Sequence, residues 1–228
     1  MKFWKYQGAG NDFIMLDQRS EQTLTRSNQM EIEQLCDRRF GIGADGLIML
    51  ENKAGFDFEM IYFNADGRES SMCGNGGRCI AAFAQHLGIV SDYCHFWAID
   101  GPHEASIRVE SPNTCWISLK MTDVDQVEQV DGTFVLNTGS PHYVRFVDQL
   151  ATRNMVLEGK AVRYSERWKH DGINVNLCEI NPAKGGIDIR TYERCVEDET
   201  LACGTGVTAA AISTFIQKKA PLGEFEIP

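Results

Sequence analysis

The chain predicts two similar lobes of mixed strand and helix, and three observations point there. At 228 residues it is long for one domain and comfortable for two of about a hundred residues each. Strand-like apolar runs alternate with a few helix-period patterns in both halves. The third observation is an internal match. With Cys73 set against Cys203, a tyrosine falls eleven residues before each (Tyr62, Tyr192) and a glutamate four before each (Glu69, Glu199). Cys-Gly-x-Gly follows both times, then a helix with adjacent alanines, Ala81-Ala82 in one half and Ala209 to Ala211 in the other. Four features in one register mark a duplication, with lobes expected at 1–120 and 121–228.

The first half opens with an apolar strand, KFWKYQ, the turn GAGNDF, whose glycines allow close backbone approach, and a second strand, FIMLDQ. Residues 28–40 carry Met30, Ile32, Leu35 and Cys36 at helical spacing, stopped by GIG. GLIML and FDFEMIYF read as paired strands leading into NADG. The glycine-flanked cysteine comes next, then a helix with Ile80, Phe83, Ala84 and Leu87 on one face and Gly88 as its stop. HEASIRVE and TCWISLKM complete this half as strands. The acidic stretch TDVDQVEQVDG is the expected crossover. Strands are then expected at TFVLNTG, HYVRFV, KAVRYS, GINVNLCEI and GIDIRTY, before the second cysteine and its helix.

A hydrophobic share of 43% with 24% charged residues describes a globular chain able to bury a core. The net charge of −10 argues against nucleic-acid or anionic-membrane partners, which need a basic surface to displace counterions. MKFWKYQGAG has neither a leader pattern nor a membrane-length apolar run, so a cytoplasmic location is expected. The eight cysteines show no Cys-x-x-Cys pairing and no paired histidines nearby, so structural zinc is not expected. Most are read as small buried hydrophobes.

Cys73 and Cys203 stand apart. A helix N-terminus offers unpaired N–H groups and partial positive charge. A thiol there ionises more easily, with pKa values of roughly 3.5–7.5 in such settings. The glycines after each cysteine let a carboxylate lie against backbone amides. Lobes facing each other would set a thiol on either side of one ligand. That suits proton removal next to a carboxylate: amides stabilise the enediolate, one thiolate takes the proton, and the other thiol supplies one. A tight strand-to-helix turn holding a small buried residue is the alternative for either copy alone.

The segments GAGNDF (8–13), GIGADGL (41–47), FNADG (63–67), MCGNGGRC (72–79), GSPH (139–142), YER (192–194) and ACGTG (202–206) resemble, in order, the diaminopimelate epimerase family. The resemblance implies an α+β (mixed α/β) fold of two pseudo-symmetric lobes. Each is a curved, mostly antiparallel sheet or barrel around a central helix. It implies a pyridoxal-independent isomerase interconverting L,L- and meso-diaminopimelate in lysine biosynthesis, with no cofactor, no metal and a possible homodimer. By resemblance, Cys73 and Cys203 are the acid–base pair. Gly74, Asn75, Gly204 and Thr205 hold the carboxylate at the reacting centre. Asn11, Asn64, Asn174, Glu193 and Arg194 grip the distal end, with Ser140 at a further contact and His142 supporting the cysteines. Read by themselves, Glu193 and Arg194 fit a solvated ion pair, and the asparagines fit turn caps.

The chain departs from that pattern at three positions. Gly46 and Ser140 replace a glutamine and an asparagine common in the family, and Cys195 stands where glycine is frequent. The family's strands after the second cysteine helix are expected to be missing after GEFEIP. Other readings are a proline racemase-like enzyme, a thiol switch using Cys73 and Cys203, or a truncated inactive paralogue.

Overall fold

A two-residue turn opens the first lobe. In the computed structural model, which describes every residue except Ser71, Lys184, Cys195 and 219–228, Ala9 and Gly10 both take positive φ, 54° and 85°. That is the type I′ geometry whose twist matches an antiparallel pair. It joins β1 (Trp4–Gly8) to β2 (Asn11–Asp17). The chain crosses through α1 (Gln29–Cys36) to β3 (Gly46–Glu51), parallel to β2, and returns antiparallel as β4 (Phe58–Asn64). Then come α2 (Gly74–His86), β5 (Tyr93–Ala98), β6 (Gly101–Ser111) and β7 (Thr114–Leu119), giving a seven-stranded sheet in chain order.

The middle strands are covered on both faces. Phe13, Met15, Ile48, Leu50, Met60 and Tyr62 pack with Ile80, Phe83 and Ala84 of α2. Ile14, Leu16, Leu47, Met49, Ile61 and Phe63 pack with Ile32 and Cys36 of α1. Double coverage explains why these strands read as unbroken apolar runs. Both edge strands, β1 and β7, also reach α2, so the sheet curves around it. Trp4 and Tyr6 of β1 lie against Phe83 at ring distances of 5.0 and 5.6 Å. Each large side chain buried here contributes about 1.5–3 kcal/mol.

The second lobe runs β8 (Val127–Val130), β9 (Thr133–Asn137), β10 (Pro141–Phe146), α3 (Met155–Arg163), β11 (Asn174–Asn181), β12 (Gly186–Glu193), β13 (Asp198–Thr200) and α4 (Gly204–Lys218). Its six strands lie in the order β13-β12-β11-β10-β9-β8. Among these described strands only β10 and β11 pair in parallel. Phe134, Leu136, Val144, Cys178 and Ile187 pack under Ala209 and Ala210 of α4. The opposite face, with Val175, Leu177 and Tyr192, packs on Met155 of α3. The two compact units divide between Lys120 and Met121.

Both lobes share a unit: hairpin, helical crossover to a parallel strand, hairpin, cysteine, helix. Two readings of the sequence change. KAVRYS is not a strand, because Lys160–Arg163 close α3. The signal lies upstream, where the Asn154 side chain caps the helix by accepting from the Leu157 N–H at 3.0 Å. The tyrosine match is one residue out of register. Tyr62 faces α2, whereas Tyr192 is buried toward α3, and its counterpart is Phe63. Phe63 pairs with Glu69, and Tyr192 with Glu199, so the second lobe holds one more residue between strand and glutamate. Strands β5, β8 and β13 were not expected from the sequence.

Candidate active site

Cys73 is the N-cap of α2, in extended conformation, and its carbonyl accepts the Gly77 N–H at 2.7 Å. Gly74, Asn75, Gly76 and Gly77 form a buried first turn. Asn11, first residue of β2, stands beside this turn. Its Nδ2 donates to Asp45 Oδ2 at 2.7 Å, which leaves Oδ1 toward Cys73 Sγ (3.7 Å) and Asn75 Nδ2 (3.4 Å). Asp45 is held by Arg38, which also binds Asp12. The two arginine contacts and Lys5 hold the Asp12 carboxyl far below the usual range against the opposing effect of burial, the largest single influence. Asn64 Oδ1 accepts from the Tyr62 hydroxyl at 2.9 Å. Gly46 sits against that tyrosine, and a Cβ there would lie 2.7 Å from its ring. The Tyr62 ring fills the space above Gly46.

In the second lobe Cys203 directly precedes α4, and its carbonyl accepts the Val207 N–H at 2.9 Å. Cys203 is 8% exposed. Thr205 Oγ1 lies 3.4 Å from its Sγ and 2.8 Å from His142 Nε2. The Thr138 hydroxyl donates to the Thr205 carbonyl at 2.8 Å, tying the β9–β10 turn to the start of α4. Glu193 shares a hydrogen bond with Cys203 and accepts from the Thr200 hydroxyl at 2.5 Å. Burial pushes its carboxyl above the ordinary glutamate value, against those two bonds. Asn174 donates to Ser140 Oγ and accepts from the Arg194 N–H, both at 2.9 Å. The Arg194 guanidinium donates to the Asp171 carbonyl at 3.0 Å.

The first lobe therefore gathers Asn11, Cys73, Gly74 and Asn75. The second gathers Ser140, His142, Asn174, Glu193, Arg194, Cys203, Gly204 and Thr205. Cys195 and the chain after Lys218 lie outside the described residues. The two matched glutamates are structural: Glu69 pairs with Arg26 at 2.9 Å and Glu199 with Arg190 at 2.6 Å. Sequence reasoning missed Asp45, Thr191, Thr200 and Asn176. For Asn176 a signal existed, since it is a polar residue within the apolar run INVNLCEI, at a position facing the cysteine helix.

His142 is fully buried. Burial, then the charge of Arg194, pushes its pKa down from 6.5 to about 3. The unfolded chain therefore takes up a proton below pH 6.5 that the folded chain refuses. Stability from this residue is complete above pH 6.5 and is lost as pH falls toward 3. Urea unfolding at pH 6 and pH 5 checks this. The wild-type chain should lose up to about 1.4 kcal/mol more per pH unit than His142→Gln. Equal slopes would contradict a neutral buried imidazole.

Four buried thiols away from the two helix starts are poor acids. Burial pushes Cys79, Cys94 and Cys178 up to about 12 and Cys36 to about 11. Among the described residues no group of three His, Cys, Asp or Glu side chains could hold a metal ion. No described helix is long and apolar enough to cross a membrane.

A sequence model of the family described as Diaminopimelate epimerase matches residues 3–127 and 134–227. A protein named diaminopimelate epimerase from Flavobacterium psychrophilum is 51% identical over 214 residues, which is 93% of this chain and 81% of that protein. One of the same name from Aquifex aeolicus is 38% identical over 97% of this chain and 85% of its own length. Among solved structures, a PhzF-family phenazine biosynthesis protein from Bacillus anthracis superposes with a TM-score of 0.71 at 15% identity, covering 94% of this chain and 81% of that one. A hydroxyproline epimerase from Agrobacterium vitis gives 0.68 at 12% identity, covering 97% and 78%. At such identities these structures bear on the fold alone.

Proposed function

Because the chain belongs to the diaminopimelate epimerase family, we propose that it is a cofactor-independent isomerase exchanging L,L- and meso-diaminopimelate through Cys73 and Cys203. The observation that carries this reading is the repeated arrangement: in each lobe one cysteine directly precedes the first turn of the helix its sheet packs on. A thiolate at one position removes the α-proton and becomes a thiol. The electron pair left on carbon spreads into the neighbouring carboxylate. Helix-end amides at Gly74 and Asn75, and at Gly204 and Thr205, are the donors for that charge. The second thiol then delivers its own proton to the carbon, which inverts the centre and leaves a thiolate. No electron acceptor enters the balance.

Asn64, Asn174 and Arg194 are the candidates for the distal amino-acid head, Arg194 as a carboxylate clamp. Glu193, lying against Cys203, belongs in this reading beside the reacting end as well as the substrate ammonium. The test is proton NMR of reduced protein in D2O with each isomer in turn. Loss of the α-proton signal with appearance of the other isomer is expected. Folded protein that leaves both isomers unexchanged would overturn the reading.

A further inference from the structure

We propose that Asn176 is a positioning residue that fixes the direction of a hydrogen-bond relay ending on Cys203, through His142 and Thr205; its catalytic meaning rests on the epimerase reading above. The direction follows from one carbonyl. Asn176 Nδ2 lies 3.0 Å from the Tyr143 carbonyl oxygen, which can only accept. The NH2 side of the amide therefore faces that way, and Oδ1 accepts from the Thr191 hydroxyl at 2.9 Å. The same NH2 lies 3.0 Å from His142 Nδ1, so Nδ1 carries the lone pair. A neutral imidazole must then carry its hydrogen on Nε2, 2.8 Å from Thr205 Oγ1. A hydroxyl that accepts from Nε2–H has its one proton left to give. The atom placed for it is Cys203 Sγ, at 3.4 Å.

The first lobe fills the equivalent positions differently. The register positions matching His142, Asn176 and Thr191 are Phe13, Ile48 and Tyr62, a largely apolar set packed on α2. Its cysteine meets the oxygen of an asparagine amide. Asp45 takes the Asn11 NH2 group, which turns Asn11 Oδ1 toward Cys73. Cys73 thus meets an amide oxygen, while Cys203 lies between the Thr205 hydroxyl that donates to it and the Glu193 carboxylate. The charged groups beside the relay are Glu193 of β12, which shares a hydrogen bond with Cys203, and Arg194, whose charge acts on His142. Nδ1 of His142 meets Asn176, so the amide sets the tautomer.

Two measurements on the full chain test this, and neither needs turnover. Nitrogen-15 NMR of the wild-type protein at pH 7 should show His142 as the Nε2–H tautomer, its signal identified by loss in His142→Gln. An Nδ1–H tautomer would overturn the proposal whether or not any variant folds. Iodoacetamide labelling across pH, read by peptide mass spectrometry, should show Cys203 reacting about tenfold more slowly at pH 7 in Asn176→Ala, with its profile moved to higher pH. Cys73 in the same molecules should keep its wild-type profile. An unchanged Cys203 profile in folded Asn176→Ala would also overturn the relay. Inactivity toward diaminopimelate, by contrast, would count against the epimerase reading and leave these two results standing.

Discussion

Cys73→Ala and Cys203→Ala are each expected to lower epimerisation by about a thousandfold or more, the effect of deleting one positioned acid or base. The loss should be equally severe in both variants. Each direction of the reaction uses both sulfurs, one to take a proton and one to give it. Neither substitution should unfold the chain, because Cys73 makes no side-chain cap bond to its helix and Cys203 to alanine removes a single sulfur atom. The remaining thiol can still take and return a proton by itself. Slow deuterium uptake into one stereoisomer, without inversion, is therefore expected in D2O. Turnover at the wild-type rate in either variant would remove that cysteine from the reaction.

Gly206→Ala should cost more than its counterpart Gly76→Ala, although both occupy the last position of Cys-Gly-x-Gly. A Cβ at 206 would fall 2.4 Å from Asn176 Oδ1 and 3.4 Å from Cys203 Sγ. Asn176 cannot swing aside without losing Thr191, Tyr143 and His142. A Cβ at 76 would meet Ile48 Cδ1 and Met60 Cε, each at 3.1 Å. Those are the ends of flexible apolar side chains, which give way by a few tenths of an ångström. Gly206→Ala is expected to lower epimerisation about a hundredfold, since displacements near 1 Å cost that much, and to destabilise by about 1–3 kcal/mol. Gly76→Ala should change stability by no more than about 1 kcal/mol, the helix gain of alanine offsetting the squeeze. Turnover and urea unfolding of both variants decide it, and equal losses would contradict the asymmetry.

The two cysteines, their helices and the two-lobed plan were legible because they rest on local signals: a Cys-Gly-x-Gly motif, helical periodicity and a repeat. Strands β2 to β4 were legible as apolar runs. What failed were features decided by side-chain parity or by distant partners. The Tyr62–Tyr192 match looked sound because a gap-free comparison cannot see one extra residue before Glu199, yet one residue moves a strand side chain to the opposite face. KAVRYS has the alternation of a strand, but the Asn154 cap governs it from six residues upstream. Asp45 and Asn176 gain their roles only when parallel strands bring them beside Asn11 and His142; a polar residue in an apolar run marks Asn176 as unusual, but spacing along the chain does not name its partner. The second glycine of each motif was read as room for a carboxylate. In the second lobe it is also room for Asn176.

The type I′ turn at Ala9 and Gly10 has a consequence for how such chains can change length over evolution. Surface turns are where insertions ordinarily accumulate. The stretch 128–133, which the family pattern passes over, runs from β8 around a surface turn at 131–132 into β9, with nothing within 4 Å of a side chain added at Gly132. The Ala9–Gly10 turn ends on Asn11, whose amide meets both Asp45 and Cys73. An added residue there would carry Asn11 out of reach of both. Drift in chain length is thus open at one hairpin tip of this protein and closed at the other.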